Sequence, residues 1–243
     1  SSDLIPPMSA YLAPGMQAHV DELRAANAPH PKTLPLAVVR QNMEDQAVRW
    51  NAWPVPGVTH ADTTIAGRAV RVYRPDDALP QHAMVYLHGG GWTAGSITTH
   101  DNMVRRLAAS SGMVVLSVDY RLAPEHPAPA AVDDTLAVLD ALAQGAGGLQ
   151  FPTRQLCLGG DSAGANVALG ALVALKARGT ALPFGALLLY GCFAPVFDTW
   201  SNQQYGNGDW GLSTARMQWY WENHLGSLPS DDPSLRRCMP TCA

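Results

Sequence analysis

Charged residues are scarce in this sequence, and neither sign dominates. Asp, Glu, Lys and Arg make up 15% of the 243 residues, and 16 basic against 20 acidic side chains give a net charge of −4. Without a basic surplus the chain has no surface suited to a phosphate backbone, so nucleic acid is not expected as a partner. The hydrophobic share of 47% predicts a folded globular core rather than a disordered chain.

Long apolar runs and metal-binding clusters are also missing. The longest run, around Ala186–Tyr190, has the length of a strand and falls short of the roughly 18 residues of a membrane-spanning helix. No CxxC pair or Cys/His cluster indicates zinc, so we expect no metal and no cofactor. The cysteines are Cys157, Cys192, Cys238 and Cys242. Their pattern favours reduced thiols in a cytoplasmic protein, while the first residue, Ser rather than Met, indicates trimming and leaves secretion open.

The chain divides by pattern into two predicted parts. Residues 1–52 show helical spacing and precede any strand signal, so we expect them to form a helical cap or lid. Residues 53–243 alternate short apolar runs with helical stretches, which predicts an α/β fold with a mostly parallel central sheet flanked by helices. The runs predicted as strands are Ala69–Tyr73, Ala83–Leu87, Met113–Val118, Gln155–Leu158 and Phe184–Tyr190.

The segment Gly160-Asp161-Ser162-Ala163-Gly164 matches the pattern G-x-S-x-G. It follows the predicted strand Gln155–Leu158 and precedes a predicted helix, which is the context of a nucleophile elbow. There Ser162 is a candidate catalytic nucleophile, and the Ala163 N–H at the helix N-terminus suits developing negative charge. The simpler alternative is a helix N-terminus capped by Ser162 or Asp161.

A glycine-rich segment, His88-Gly89-Gly90-Gly91-Trp92, directly follows the predicted strand Ala83–Leu87. Consecutive glycines cost backbone entropy, so they are expected where N–H groups must approach a ligand closely. The segment matches the oxyanion-hole loop of lipases and esterases. The candidate oxyanion-hole residues are therefore Gly89, Gly90, Gly91 and Ala163.

The same loop admits a rival interpretation as a loose dinucleotide fingerprint. In that interpretation Gly89, Gly91 and Ala94 surround a pyrophosphate, and Asp119 binds the ribose. The spacing to Asp119 is long for such a fingerprint, and the bulky Trp92 stands where the phosphate would approach. The interpretation also leaves the nucleophile elbow unexplained.

A third motif, Asp119–Pro127 with the sequence DYRLAPEHP, completes a set of three in a fixed order. With it, the chain closely resembles the hormone-sensitive-lipase family of bacterial carboxylesterases, whose HGGGW and GDSAGxN motifs correspond to His88–Trp92 and Gly160–Asn166. The resemblance implies an α/β-hydrolase fold with a helical cap, and hydrolysis of short acyl esters by a serine esterase. It implies Ser162 as nucleophile, with Gly90, Gly91 and Ala163 as oxyanion donors and Gly89 adjoining them. The substrate would be a small ester, and Trp92 and Trp210 are candidate pocket residues.

The catalytic acid and base are the incomplete part of the pattern. In this fold the triad follows the order Ser, acid, His. His224 is the only histidine after Ser162, and Asp198 and Asp209 are candidate acids between them. His224 lies at the end of a predicted helix, where a histidine that interacts with the last carbonyls is the simpler interpretation. No strand is predicted after Ala186–Tyr190 either, so we expect the last strands, the acid and the histidine of the family to be missing from this chain.

Three hypotheses accommodate these observations. The chain is a fragment of an ordinary esterase, or a second chain or protomer supplies the missing strands, or the chain is a non-catalytic small-molecule binder. The plant gibberellin receptor resembles the family, lacks the catalytic histidine and illustrates the third hypothesis. Because Ser162 and the glycine loop are both present, the sequence favours the first.

Overall fold

The computed structural model describes residues 12–26, 28–79, 81–229, 232 and 239. The chain forms two compact units, a smaller one from residues 1–35 and 196–219 and a larger one from residues 36–195 and 220–243. The predicted cap, residues 1–52, is thus divided between the two units, and its role as a lid stays a prediction. Cys238 and Cys242 lie outside the described residues.

The larger unit is built on a six-stranded mixed sheet. The strands are β1 (Val58–Ile65), β2 (Arg68–Pro75), β3 (Ala83–Leu87), β4 (Val114–Val118), β5 (Leu156–Asp161) and β6 (Gly185–Leu189). Their order in the sheet is β1-β2-β4-β3-β5-β6. Strands β4, β3, β5 and β6 run parallel, whereas β2 pairs antiparallel with both β1 and β4. The prediction of a mostly parallel sheet is confirmed, with an antiparallel hairpin added at one edge.

Among the described residues, the larger unit contains one α-helix before its first strand and three α-helices between its strands. They are α2 (Leu36–Asn51), α3 (Asp101–Ser111), α4 (Ala130–Ala143) and α5 (Ala163–Ala177). The smaller unit contains α1 (Pro14–Ala26) and α6 (Trp200–Tyr205), and α7 (Thr214–Leu225) begins in the smaller unit and ends in the larger one. Within the described part of the chain, no helix has the length and apolar character needed to cross a membrane.

The central strands are buried on both faces, which explains their continuous apolar runs. Every residue of β3, β4 and β5 is buried. On one face, Tyr73, Met84, Tyr86 and Cys157 pack against Val104 of α3. Full burial of an apolar side chain such as Val104 stabilises the fold by about 1.5–3 kcal/mol relative to leaving it exposed.

Strand β6 forms one edge of the described sheet. Its sequence GALLL is apolar, yet its residues are only partly buried or exposed. One side of the strand pairs with β5, and among the described strands none pairs with the other side. An apolar edge of this kind presents unpaired backbone groups that favour association with a further strand.

The smaller unit joins segments that are far apart in the sequence. The Arg24 guanidinium of α1 donates from Nε to the Asp209 carbonyl oxygen at 2.9 Å and lies 4.8 Å from the centre of the Trp210 ring. The His30 ring meets the Trp219 ring edge to face at 6.3 Å. Contacts between its first and last segments therefore hold this unit together.

Arg40 attaches helix α2 to other parts of the larger unit. Its Nε donates to the Thr93 carbonyl oxygen at 2.9 Å, and Nη1 and Nη2 donate to the two Glu125 carboxylate oxygens at 2.8 and 2.7 Å. Because a lysine ammonium cannot reproduce this planar fork, we expect Arg40→Lys to lower the free energy of unfolding by about 1–2 kcal/mol in urea denaturation. The exposed Arg154 provides the control, since Arg154→Lys should change stability by less than about 0.5 kcal/mol. Equal effects of the two substitutions would contradict this role for Arg40.

Candidate active site

The turn between β5 and α5 forms a sharp bend at Ser162. Ser162 has φ 52° and ψ −117°, a conformation that residues other than glycine rarely adopt and that costs about 1–3 kcal/mol. Its N–H donates to the Leu189 carbonyl oxygen at 2.8 Å, which ties the turn to the end of β6. The Ser162 side chain makes no capping hydrogen bond to α5. The predicted strand–turn–helix is therefore present, and Ser162 does not serve as the side-chain cap of the helix.

Two glycines of the motif allow this turn to pack closely. A Cβ atom on Gly160 would lie 2.6 Å from the Leu87 carbonyl oxygen, and a Cβ atom on Gly164 would overlap that same oxygen. Helix α5 thus begins in direct backbone contact with the end of β3. This contact fixes the elbow against the strand that leads into the glycine loop.

The Ser162 hydroxyl is partly buried beside Cys192. Its Oγ lies 3.7 Å from Cys192 Sγ, and Asn166 Nδ2 donates to the Cys192 carbonyl oxygen at 2.9 Å. Burial raises the pKa of the Cys192 thiol, so this neighbour is neutral and does not act as a base. Within the described residues, no histidine or carboxylate hydrogen-bonds Ser162 Oγ. The sequence gave no signal for a contact between Cys192 and Ser162, because this contact depends on how β6 ends.

The glycine loop turns back on itself after β3. Gly90 and Gly91 have φ values of 120° and 61°, and the Gly90 carbonyl oxygen accepts from the N–H groups of Thr93 and Ala94 at 3.2 and 3.0 Å. A Cβ atom on Gly91 would overlap the Tyr220 ring. Within the described part of the chain, the N–H groups of Gly90 and Gly91 donate to no carbonyl group. These two amides are therefore free to bind a ligand oxygen.

Gly89 differs from the other predicted oxyanion residues. Its N–H donates to the Asp161 carboxylate, with 2.9 Å between N and Oδ1. An amide engaged in this way is not available to an oxyanion. The structure thus separates Gly89 from Gly90 and Gly91, and the spacing of the three glycines in the sequence gave no means of distinguishing them.

Among the described residues, the candidate base His224 makes no hydrogen bond to Ser162. Its ring stacks on the Trp92 ring, with 4.2 Å between the centroids, and its carbonyl oxygen accepts from the Ala128 N–H at 2.7 Å. Its Nε2 has no hydrogen-bond partner among the described residues. Trp92 itself is 1% exposed and packs against Trp221, and its place in a substrate pocket stays a prediction.

The remaining residues predicted for the site lie in the smaller unit. Asp209 Oδ2 accepts from Asn207 Nδ2 at 2.7 Å, and the Asp198 carbonyl oxygen accepts from Gln203 at 3.3 Å. Trp210 stacks beneath Arg24. Ser162 and His224 belong to the larger unit and the two aspartates to the smaller one, so the triad within this chain stays an unsupported prediction.

Two buried histidines make stability depend on pH. The pKa values of His88 and His224 are both lowered to about 3. Burial is the main cause for both, and the nearby His100 also contributes for His88. In the unfolded chain a histidine has a pKa of about 6.5, so the unfolded state binds more protons below that pH. The free energy of unfolding is therefore not reduced by these histidines above about pH 6.5, and it falls progressively as the pH drops toward about 3.

We expect the free energy of unfolding to fall by about 1.4 kcal/mol per pH unit for each of these histidines between about pH 6 and pH 4. Urea denaturation at a series of pH values measures this slope. His224→Phe removes one of the two groups while keeping a ring against Trp92, and its slope should be shallower by about 1.4 kcal/mol per pH unit. An unchanged slope would contradict the assignment to His224.

A cavity of about 520 Å³ lies between α2, α3 and the end of β6. Its apolar walls include Met43, Trp50, Trp53 and Met103, and its polar groups include His100 and Tyr190. Both of these polar residues contact the carboxylate of Asp161, the neighbour of Ser162 in the sequence. Such a cavity suits a small, largely apolar molecule. Within the described residues, no group of three or more His, Cys, Asp or Glu side chains could hold a metal ion.

Known proteins share this architecture. A model of the alpha/beta hydrolase fold family matches residues 84–243. The chain is 38% identical over 210 residues to the carboxylic ester hydrolase LipN of Mycobacterium tuberculosis, covering 79% of this chain and 54% of that protein. It is 36% identical over 184 residues to the ethyl acetate hydrolase of Pseudomonas putida, covering 72% of this chain and 56% of that protein. A crystal structure of an esterase from the bacterial hormone-sensitive lipase family matches with a TM-score of 0.81 and 27% identity, covering 94% of this chain and 73% of that chain.

The chain belongs to the alpha/beta hydrolase fold family, because the family model matches more than half of its length. Within that family it is similar to the hormone-sensitive-lipase group of carboxylic ester hydrolases, which confirms the resemblance seen in its motifs. The chain spans about half the length of the two curated relatives.

Proposed function

We propose that the protein hydrolyses short-chain carboxylic esters through an acyl-enzyme on Ser162. The observation that carries the proposal is the pairing of a strained serine turn with a loop whose Gly90 and Gly91 amides are free. These are the two parts that acyl transfer needs, a nucleophile and donors for the oxyanion. The relatives named as carboxylic ester hydrolase and ethyl acetate hydrolase support the reaction and the small size of the acyl group.

In the proposed mechanism, Ser162 Oγ attacks the ester carbonyl carbon as a base removes its proton. The carbonyl oxygen becomes an oxyanion that accepts hydrogen bonds from the Gly90, Gly91 and Ala163 N–H groups. Collapse of this intermediate releases the alcohol, which takes up the proton, and leaves Ser162 acylated. Water then attacks the acyl group in the same way and releases the carboxylic acid.

The base is the one component that the described residues do not place beside Ser162. His224 is buried against Trp92, and the neighbouring Cys192 thiol is neutral. We therefore assign the base and its acid partner to residues outside the described part, either in a longer form of the protein or in a second chain or protomer. Without them, binding and oxyanion stabilisation alone would leave an acceleration of about 10³–10⁴-fold over water.

The non-catalytic alternative rests on the absence of a base beside Ser162 among the described residues. A serine with no base beside it among the described residues, in a chain that also has an apolar cavity, suits a protein that binds a small molecule and leaves it unchanged. The two functions differ in one covalent bond. An enzyme acylates Ser162, whereas a binding protein does not.

The test is a stopped-flow reaction of the chain with p-nitrophenyl butyrate. An esterase should release a burst of p-nitrophenolate equal to the enzyme concentration, and mass spectrometry should find a butyryl group on the Ser162 peptide. The acetate and butyrate esters should react faster than the laurate ester. If neither this chain nor a form extended at its C-terminus acylates Ser162, the enzyme proposal is wrong and the binding alternative stands.

A further inference from the structure

Asp161, the residue before Ser162, is a buried carboxylate held by four donors. It is 4% exposed. Its Oδ1 accepts from Tyr86 Oη at 2.8 Å and from the Gly89 N–H at 2.9 Å, and its Oδ2 accepts from Tyr190 Oη at 3.0 Å. His100 Nε2 lies 3.4 Å from Oδ1. Within the described part of the chain, no arginine or lysine pairs with this carboxylate.

These donors come from four separate parts of the larger unit. Tyr86 belongs to β3 and Gly89 to the glycine loop that follows it. His100 directly precedes α3, and Tyr190 directly follows β6. Asp161 thus joins both neighbouring strands, one helix and the glycine loop at a single point beside the proposed nucleophile.

The charge of Asp161 determines how these groups are oriented. Burial by itself raises the pKa of a carboxyl group, but hydrogen bonds from His100, Tyr86 and Tyr190 outweigh that effect and hold the pKa of Asp161 below its ordinary value. An ionised carboxylate only accepts hydrogen bonds, so the two phenols and the Gly89 amide must all donate to it. Hydrogen bonds to a charged acceptor are stronger than those between neutral groups, so the arrangement is firmly held.

The free amides of the glycine loop lie between two fixed points. At one end the Gly89 N–H is bound to Asp161, and at the other the Gly90 carbonyl oxygen accepts from Thr93 and Ala94. The loop has no room to shift toward the carboxylate, because a Cβ atom on Gly89 would overlap the Asp161 side chain. The conformation of the Gly90 and Gly91 amides therefore depends on the position of Asp161.

We propose that Asp161 is a positioning residue, whose carboxylate holds the glycine loop so that the Gly90 and Gly91 amides are preorganised for the oxyanion. Asp161 acts through Gly89 and does not touch the substrate. This inference rests on the proposed esterase function for its effect on rate. Its effect on the loop itself does not require catalysis.

The first experiment replaces Asp161 by Asn, which keeps the shape of the side chain and removes its charge. The rate of Ser162 acylation by p-nitrophenyl butyrate should fall by about 10- to 100-fold, with KM changed by less than about twofold. Misplaced oxyanion donors weaken binding of the transition state and leave binding of the substrate nearly intact. The acylation rate should therefore fall while KM stays nearly the same. In nitrogen-15 glycine spectra, the amide resonances of Gly89, Gly90 and Gly91 should all shift.

A matched pair of tyrosines separates positioning from stability. Tyr73 and Tyr86 are both fully buried, and each donates to a carboxylate at 2.8 Å, Tyr73 to Asp101 and Tyr86 to Asp161. Tyr73→Phe and Tyr86→Phe should therefore destabilise the chain similarly. Only Tyr86→Phe should shift the Gly90 and Gly91 resonances and lower the acylation rate, by about tenfold.

The outcomes distinguish the two proposals. If the unsubstituted chain does not acylate Ser162, the esterase function fails for this chain and the glycine spectra alone decide the role of Asp161. Unshifted Gly90 and Gly91 resonances in Asp161→Asn and Tyr86→Phe would overturn the positioning role. Equal rates for Tyr73→Phe and Tyr86→Phe in an active chain would overturn it as well. If Asp161→Asn fails to fold, the tyrosine pair still decides.

Discussion

In a form of the protein that supplies the base and its acid partner, replacing Ser162 by Ala is expected to lower kcat for p-nitrophenyl butyrate by about 10³-fold or more and to leave KM within about twofold. The substitution removes the only atom that forms the covalent bond in the proposed reaction. The substitution leaves the glycine loop in place, so we expect the oxyanion donors to be preserved. The loss should therefore appear in the chemical step, and the butyryl adduct should disappear.

A second serine provides the control for this substitution. Ser117 of β4 is fully buried, and its hydroxyl has no hydrogen-bond partner among the described residues. Ser117→Ala should retain the burst and the turnover of the unsubstituted chain. If Ser162→Ala retains ordinary turnover, Ser162 is not the nucleophile and the proposed mechanism is wrong.

Replacing Gly164 by Ala should unfold the larger unit or lower its free energy of unfolding by about 3 kcal/mol or more. The added methyl group would overlap the Leu87 carbonyl oxygen and lie 2.7 Å from that of His88. These are backbone atoms of β3 and of the glycine loop, so no side chain can move aside. Helix α5 would have to shift away from the sheet, and the elbow would move with it.

The matched substitution is Gly185→Ala on the neighbouring strand β6. Its added Cβ would meet only Cys157 Sγ at 3.9 Å, an ordinary contact. Urea denaturation should therefore find this variant within about 0.5 kcal/mol of the unsubstituted chain. Similar stability of the Gly164 and Gly185 variants would show that the close approach of α5 to β3 is not required.

Apart from Ala69–Tyr73, which was predicted from alternation, the strands that sequence analysis identified have continuous apolar runs. Strands β3, β4 and β5 are buried at every position, so their sequences carry an unambiguous signal. Strand β1 was not predicted because six of its eight residues are exposed or partly buried, and its sequence VTHADTTI is largely polar. It owes its strand conformation to pairing with β2, which is a tertiary contact that local sequence does not record.

The distinction between local sequence signals and tertiary contacts also applies to the candidate active site. The serine elbow and the glycine loop are local motifs, so their conformations could be predicted from short segments. The contacts of Ser162 with Cys192 and of Asp161 with Gly89 and Tyr190 join residues 29 to 72 positions apart in the chain. The stacking of His224 on Trp92 likewise joins residues that are distant in the sequence. Contacts of this kind depend on the completed sheet, and no spacing rule anticipates them.

The smaller unit is made of two segments that are far apart in the sequence. This affects the order in which the parts of the chain fold during translation. Helix α1 is synthesised early, but the segment that binds Arg24 and His30 emerges only after residues 36–195. Folding of those intervening residues into the larger unit would bring the two distant segments closer and reduce the entropy lost when they meet. Helix α1 can therefore meet its partner segment only after residues 196–219 have been synthesised, and we expect the smaller unit to form only after most of the larger unit has been synthesised.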